Sequence, residues 1–207
     1  MDPLSIIQPV SPGACGPMVK RVQEWLTLHG HPVPISGAFD AATEAAVSQF
    51  RRQRGLPSGR DVDAEVYAAL VAPMARALMP IEPGDDFAAA TLAIAEQHLA
   101  QKPLEVGGPN RGPWVRLYME GREGSELLWG AGFVTFCLKQ AAIARGEPLP
   151  VDGAISSDAL ALQSAERGLL RHGAAAAPLL RPGNVFLLPR GKAASDWVHA
   201  GVVRSVG

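Results

Sequence analysis

Apolar positions recur at helical spacing near the start of the chain. Val22, Trp25 and Leu26 share one face of a helix predicted over Met18 to His29. Pro17 suits the first turn of this helix, because the first N–H groups of a helix have no intrahelical acceptor. The loop "GHPVPISGAFD" follows. The pattern predicts an amphipathic helix that packs by one face.

Two aspartates mark where the next two helices are predicted to begin. Asp40 and Asp63 are natural N-caps, because a carboxylate accepts hydrogen bonds from the free N–H groups of the first turn. Gly55 is predicted to end the first of these helices. The inward stripes are Thr43, Val47, Phe50 and Arg54 in one helix, and Val66, Tyr67 and Leu70 in the other. The sequence thus predicts an all-α module of three helices, whose thin core suits an appendage to a larger domain.

A cluster of helix-breaking residues follows the third helix. Pro73, Pro80, Pro83 and Gly84 lie close together, which is typical of a linker. The predicted division is residues 1–75 for the three-helix domain, 76–85 for the linker and 86–207 for a second domain.

The second domain is predicted to have helices first and strands last. One helix is expected from Asp86 to Ala100, a second within "ELLWGAGFVTFCLKQA" and a third from Ser157 to Gly168. A loop rich in Gly, Pro and Asn separates the first two. The runs "NVFLLP" and "WVHAGVVRSV" are predicted strands, joined by the turn "RGKAASD". This order indicates an α+β domain.

Composition and charge exclude several classes of partner. The 207 residues are 47% hydrophobic, and 19 basic and 20 acidic residues give a net charge of −1 without a basic block. Nucleic acid and anionic membrane surfaces are therefore not expected partners. No apolar run approaches the roughly 20 residues that a membrane span requires. The stretch "MDPLSIIQPVSPGACG" lacks the features of a secretory signal peptide, so we expect that either another route delivers the protein or a leader has been removed.

The cysteines and histidines predict no metal site or cofactor. Cys15 and Cys137 lie in different predicted domains, so a disulfide is not expected, and no CxxC occurs. His29 and His31 are interpreted as a helix end and a loop, because no acidic or cysteine ligand lies at a regular spacing beside them. The histidines interpreted as lying in polar surroundings, with no functional signal, are His98 and His172.

Residues 11 to 72 resemble the three-helix peptidoglycan-binding domain. The matching features are Val19, Gln23, Leu26, Gly37, Phe39, Thr43, Ala46, Val47, Phe50, "GL" at 55–56, Tyr67 and Leu70. Ser36 and Arg51 depart from the family, which usually has Asp and often Gln there, and both positions are predicted to lie outside the core. The resemblance implies peptidoglycan as the partner and action at the bacterial cell envelope, in the periplasm or outside the cell.

The second domain resembles papain-like peptidoglycan hydrolases of the CHAP type. The matching pieces are "PNRGPWVRLYMEGREG", "WGAGFVTFCLKQA", "RPGNVFLLP" and "DWVHAGVV". The resemblance places Gly130 at the position of the nucleophilic cysteine and His199 at that of the general base. A third polar residue comes from a later strand in this family, whereas this sequence ends at Gly207. We therefore expect a C-terminally short domain without that orienting residue.

Several further residues are candidates with two interpretations. Trp129 and Trp114 either line a substrate groove or pack in an aromatic core, and Asn110 either lines that groove or forms a turn. Asp196 is not expected to orient His199, because residues three apart on a strand point to opposite faces. Cys137 could in principle replace the missing nucleophile, but it is predicted to be a core residue.

Glycine at position 130 changes the chemistry that the resemblance implies. A cysteine there would attack an amide, with His199 moving the proton and the first N–H groups of the helix holding the oxyanion. Glycine keeps the N–H groups and removes the attacking atom. One hypothesis is a cysteine amidase or endopeptidase whose nucleophile has been replaced, naturally or by design. The other is a natural non-catalytic peptidoglycan-binding protein. A scaffold without wall affinity is a weaker third class.

Overall fold

The computed structural model describes residues 2–173, 176–191 and 196–206. Within them, seven α-helices precede two β-strands, which confirms the predicted order of elements. The helices are α1 (Pro17–Leu28), α2 (Ala41–Arg54), α3 (Ala64–Ala77), α4 (Phe87–Ala100), α5 (Pro113–Tyr118), α6 (Gly130–Arg145) and α7 (Ser157–Glu166). The strands are β1 (Val185–Pro189) and β2 (Trp197–Val202), and a short 3₁₀ turn covers Ala177–Leu179.

The chain forms two compact units that are not two consecutive stretches of sequence. The first comprises the residues up to Leu78, together with Pro103–Leu117 and Glu123–Ser125. The second comprises Met79–Lys102, Tyr118–Arg122 and the residues from Glu126 onward. The linear division at residues 75 and 85 therefore differs from the compact units, because part of the loop after α4 packs with the first helices.

The helices of the first unit begin where their capping aspartates predict. Asp40 Oδ1 accepts a hydrogen bond of 2.9 Å from the Thr43 N–H, and Asp63 Oδ1 accepts one of 2.9 Å from the Val66 N–H. Burying apolar side chains between helices is the main source of stability in so small a unit. The completely buried apolar side chains here include Val22, Leu26, Val47, Phe50, Val66 and Leu70.

Arg51, not Arg54, completes the buried stripe of α2. Arg51 is 5% exposed, and its guanidinium donates hydrogen bonds of 2.8 Å to the carbonyls of Pro57 and Asp61. It also pairs with the Asp63 carboxylate at 2.9 Å. The prediction that Arg51 lies outside the core is therefore wrong, because the loop after α2 wraps around this side chain. The exposed position at the end of the stripe is Arg54.

Pro73 lies inside α3 and does not begin the linker. The helix continues for four residues beyond it and ends at Ala77. Met74 and Ala77 are buried, so this last turn still contributes to the core of the first unit. Packing therefore outweighs the helix-breaking tendency of proline at this position.

Residues 103–117 are anchored to α1 by aromatic and ionic contacts. The ring of Trp114 packs edge-on against Trp25, with the centroids 5.9 Å apart. Arg116 Nη1 donates a hydrogen bond of 3.0 Å to Glu24, whose side chain is completely buried. The same nitrogen donates one of 2.6 Å to Glu123. These contacts explain why a segment distant in sequence belongs to the first unit.

Helix α6 supplies the core of the second unit. Cys137 and Ala141 pack with α4 through Ala90, Ile94 and Ala95. Ala131, Val134 and Leu138 form another cluster with Leu160 of α7 and Ala200 of β2. Val134, Cys137 and Ala141 lie on one stripe of this helix and are all completely buried, which agrees with the expectation that Cys137 is a core residue.

The two strands pair antiparallel and set the position of His199. Leu188 of β1 lies opposite His199 of β2, and a register shift follows between Leu188 and Pro189. Ala200 is buried against α6, whereas His199 is exposed, as the alternation of a strand requires. The predicted turn "RGKAASD" lies partly outside the described residues.

Candidate functional site

The first residue of α6 lies directly beside His199 of β2. A Cβ atom on Gly130 would be 2.9 Å from Nδ1 and 3.1 Å from Cε1 of the His199 ring. Trp129 occupies the N-cap position of α6, immediately before Gly130. The structure thus brings together the two positions that the sequence pairs as nucleophile and general base.

Two glycines let the start of α6 approach its neighbours closely. A Cβ on Gly130 would also be 2.9 Å from the Ala200 carbonyl oxygen, which is closer than Cβ atoms come to non-bonded atoms in real proteins. A Cβ on Gly132 would be 2.6 Å from both the Met119 sulfur and the Tyr118 carbonyl oxygen. Any larger residue at either position therefore requires a movement of the surrounding main chain.

An aromatic cluster holds the residue before Gly130. Trp129 is half-buried and stacks on Tyr118, with centroids 5.5 Å apart and an interplanar angle of 18°. Tyr118 in turn packs edge-on against Phe133 at 5.0 Å. The sequence interpretation missed Tyr118, since it lies in a segment that was predicted as a loop. Trp129 therefore has both a packing role and a partly exposed surface.

His98 belongs to this cluster, and its interpretation as a histidine in polar surroundings is wrong. It is completely buried, and its Nδ1 lies 2.9 Å from the Tyr118 hydroxyl oxygen. Burial lowers the pKa of His98 to about 4, because the charged ring would lose its hydration. A signal was present in the sequence: Thr91, Ile94 and His98 follow helical spacing on α4.

The other two groove candidates lie in the first unit and make contacts there. Trp114 is 2% exposed and packs against Trp25, which agrees with the alternative of core packing. Asn110 has a φ of 51°, and its side-chain amide donates a hydrogen bond of 2.7 Å to the Ser125 carbonyl. These contacts agree with the alternative of a turn-forming Asn.

His199 is exposed and is flanked by Phe186 of the neighbouring strand, 6.1 Å away between ring centroids. The sequence interpretation did not single out Phe186 or the Ala200 carbonyl as neighbours of the site. The carboxylate of Asp196 lies 3.4 Å from Arg190 Nε. That ion pair gives Asp196 a partner other than the imidazole.

Both cysteines are free thiols, and they differ in exposure. Cys15 is exposed in the first unit, whereas Cys137 is completely buried in the second. Burial raises the pKa of the Cys137 thiol to about 12, because the thiolate would be desolvated. A thiol of that kind is a poor nucleophile at neutral pH. Cys137 is thus a packing residue on α6.

The described residues form neither a cluster of metal ligands nor a membrane-spanning helix. Over residues 2–173, 176–191 and 196–206, no three His, Cys, Asp or Glu side chains converge to hold a metal ion. His29 Nε2 lies 2.7 Å from the Leu70 carbonyl, and His31 Nε2 lies 2.8 Å from Gln53. In the described part of the chain, no helix has the length and apolar character needed to cross a bilayer.

Comparison with known families gives a match over part of the first unit. Residues 15–70 match the model of the family described as "Putative peptidoglycan binding domain". A comparison with curated proteins found no match. The match covers α1, α2 and most of α3, which confirms the three-helix peptidoglycan-binding domain expected from the sequence. The chain therefore carries a peptidoglycan-binding domain over these residues, which supports peptidoglycan as a partner and indicates action at the cell envelope.

Proposed function

We propose that the protein attaches to peptidoglycan through its first unit and that its second unit is a CHAP-type, papain-like domain with glycine at the nucleophile position. In this form the second unit cleaves no bond. The observation that supports this proposal is a distance: a Cβ on Gly130 would lie 2.9 Å from His199 Nδ1.

The surroundings of position 130 suit a cysteine hydrolase. The start of the 16-residue helix α6 presents N–H groups and the positive end of the helix dipole, which together lower the pKa of a thiol. The imidazole of His199 is placed to take the thiol proton and to return it to the leaving amine. With Gly130, the N–H groups and the imidazole remain and the sulfur does not.

Restoring the sulfur provides the test of this proposal. In a Gly130→Cys variant, we expect iodoacetamide to alkylate the new thiol about tenfold faster than the exposed Cys15 at pH 6, because the helix start and His199 favour the thiolate. Mass spectrometry of the labelled peptides gives both rates in one chain. Cys137 should remain unlabelled while the fold is intact, since it is completely buried.

The control for this experiment is the same chain with His199→Ala added. Without the imidazole, alkylation of the introduced thiol should slow towards the rate of Cys15. If the thiol at position 130 reacts no faster than Cys15, or if His199→Ala leaves its rate unchanged, position 130 is not a nucleophile site and the hydrolase relationship loses its support. Release of muropeptides by the unmodified chain, which carries Gly130, would contradict the proposal that the second unit cleaves no bond in this form.

A natural non-catalytic wall-binding protein is the second candidate, and one distance favours it. The Ala200 carbonyl would lie only 2.9 Å from a Cβ at position 130, so β2 is packed against the glycine itself. A protein that has long carried glycine there is expected to have adapted its packing in this way.

Gly130→Ala distinguishes the two candidates through stability. If the contact with β2 is an adapted one, the added methyl group should lower the free energy of unfolding by about 1 to 3 kcal/mol, as overpacking does elsewhere. If β2 instead moves away at little cost, as we expect of a domain built for cysteine, the free energy of unfolding should change by less than about 0.5 kcal/mol. Urea denaturation of the full chain, monitored by hydrogen exchange of the α6 amides, measures the difference.

A further inference from the structure

A groove lies along the outer face of α2 in the first unit. Its volume is about 440 Å³, within the range of small-molecule sites. Ala45, Ser48, Gln49 and Arg52 follow one another at helical spacing along its floor. This stripe faces away from the buried stripe of the same helix. The lining is completed by the loop residues Ser58, Gly59 and Arg60.

The loop wall of this groove is held in place from beneath. The buried Arg51 guanidinium donates hydrogen bonds to the carbonyls of Pro57 and Asp61, on either side of the wall. Gly59 lies directly on that guanidinium, since a Cβ there would be 3.1 Å from Arg51 Cζ. The Ser48 hydroxyl also reaches the Gly59 carbonyl, at 3.4 Å. A wall fixed in this way gives a groove whose shape is formed before a ligand arrives.

The groove combines positive charge with neutral hydrogen-bonding groups. Arg52 and Arg60 are both exposed, and both line it. Arg60 is 3.4 Å from Glu44, an exposed pair that a stronger anionic partner can replace at small cost. Guanidinium groups pair with carboxylates through two parallel hydrogen bonds, while hydroxyl and amide side chains suit sugars and peptide bonds. The two arginines therefore favour a ligand that carries carboxylates.

We propose that this groove is where the first unit binds peptidoglycan and that it recognises the carboxylates of the stem peptide through Arg52 and Arg60. The inference rests on the wall attachment proposed above and adds the site and the part of the polymer that is read. Small residues at Ala45 and Gly59 leave room for the ligand backbone. The Ser48 hydroxyl and the Gln49 side-chain amide then contact peptide or acetamido groups of the ligand.

Filling the groove provides the first test. In the full chain, Ala45→Trp places a large ring in the groove without removing a side-chain contact, and we expect the Kd for purified sacculi to rise about tenfold or more. Ala42→Trp is the matched control, because Ala42 is exposed on the same helix and does not line the groove. Thermal unfolding of both variants checks that each is folded.

Removing one charge provides the second test and remains valid if the tryptophan variant does not fold. Arg52→Gln should weaken binding to sacculi by about five- to tenfold and reduce its salt dependence, because one carboxylate pair is lost. Arg54→Gln, two residues further on and outside the groove, should bind as the unmodified chain does. A soluble disaccharide tetrapeptide should compete with sacculi for the protein. Neutral chitotetraose should compete at least tenfold more weakly, because it has no carboxylate to pair with the arginines.

The outcomes separate the groove from the wall attachment on which it rests. If the unmodified chain does not pellet with sacculi, wall attachment itself fails, and the groove fails with it. If the chain pellets and both Ala45→Trp and Arg52→Gln bind as their controls do, the groove is not the site while wall attachment stands. Equal competition by chitotetraose would overturn the assignment to stem-peptide carboxylates.

Discussion

Replacing Arg116 with methionine is expected to lower the stability of the first unit by about 3 to 5 kcal/mol, the usual cost of leaving a buried charge without its partner. Arg116 donates hydrogen bonds through both terminal nitrogens to Glu24, whose side chain has no exposed surface. After the replacement, the cation that remains beside this carboxylate among the described ion pairs is Lys20, at 3.8 Å. Hydrogen exchange of the α1 amides in the full chain, as a function of urea, measures the loss in this unit.

Two further variants show whether the buried pair is the cause. Arg111→Met removes a neighbouring arginine whose side chain is 43% exposed and lies 3.9 Å from Glu123, so it should change stability by less than about 0.5 kcal/mol. Adding Glu24→Met to Arg116→Met should recover much of the loss, because apolar groups can replace a buried ion pair. Equal effects of Arg111→Met and Arg116→Met would contradict this account.

The ion pair between Arg116 and Glu24 would be missing from a shortened form of the first unit. A piece that ends at residue 75 lacks Arg116 and also Trp114, which covers Trp25. Burial alone would raise the pKa of Glu123, but the Gly112 N–H and the Lys20 and Arg116 cations lower it to about 2. Glu123 therefore stays charged in the folded unit at neutral pH. Experiments on wall binding are best made with the full chain, in which this network is complete.

Local signals in the sequence were enough to predict most of the elements. The N-caps Asp40 and Asp63, the helical stripes of α1 to α3 and the two final strands are encoded within a few residues of where they act. Helix α5 was not predicted, because Pro109 and Gly112 before it and Gly121 and Gly124 after it indicate turns. Pro113 is in fact its first residue, where a missing N–H does no harm.

Contacts between distant residues account for what the sequence interpretation missed. Glu24 and Arg116 are 92 residues apart, and no periodicity links them. Arg51 looks like a solvated residue in the last turn of α2 until the following loop closes over it. At the candidate site, the resemblance supplied Gly130 and His199, whereas the 2.9 Å approach of the Ala200 carbonyl depends on how β2 packs against α6. Such distances follow from tertiary packing, which one sequence does not display.

His98 is expected to make the second unit lose stability as the pH falls from 6.5 towards 4. Burial lowers the pKa of this histidine to about 4 in the folded chain, against about 6.5 when unfolded. Between these values the unfolded chain takes up a proton that the folded chain does not, so stability rises with pH across this window. The loss between pH 7.5 and pH 4.5 attributable to His98 should be about 2.5 kcal/mol.

His98→Phe isolates this contribution, because the ring is kept and the titrating nitrogens are removed. The free energy of unfolding should then fall about 2.5 kcal/mol less between pH 7.5 and pH 4.5 than in the unmodified chain, whatever the variant's stability at pH 7.5. His172→Phe is the matched control, because His172 is exposed in the same unit, and it should retain the full pH dependence. Urea denaturation at several pH values, monitored by hydrogen exchange of the α4 and α6 amides, provides the comparison. If His98→Phe and His172→Phe show the same pH dependence, the ring of His98 takes up its proton in the folded chain as easily as in the unfolded one, and the buried contact with Tyr118 does not form as described.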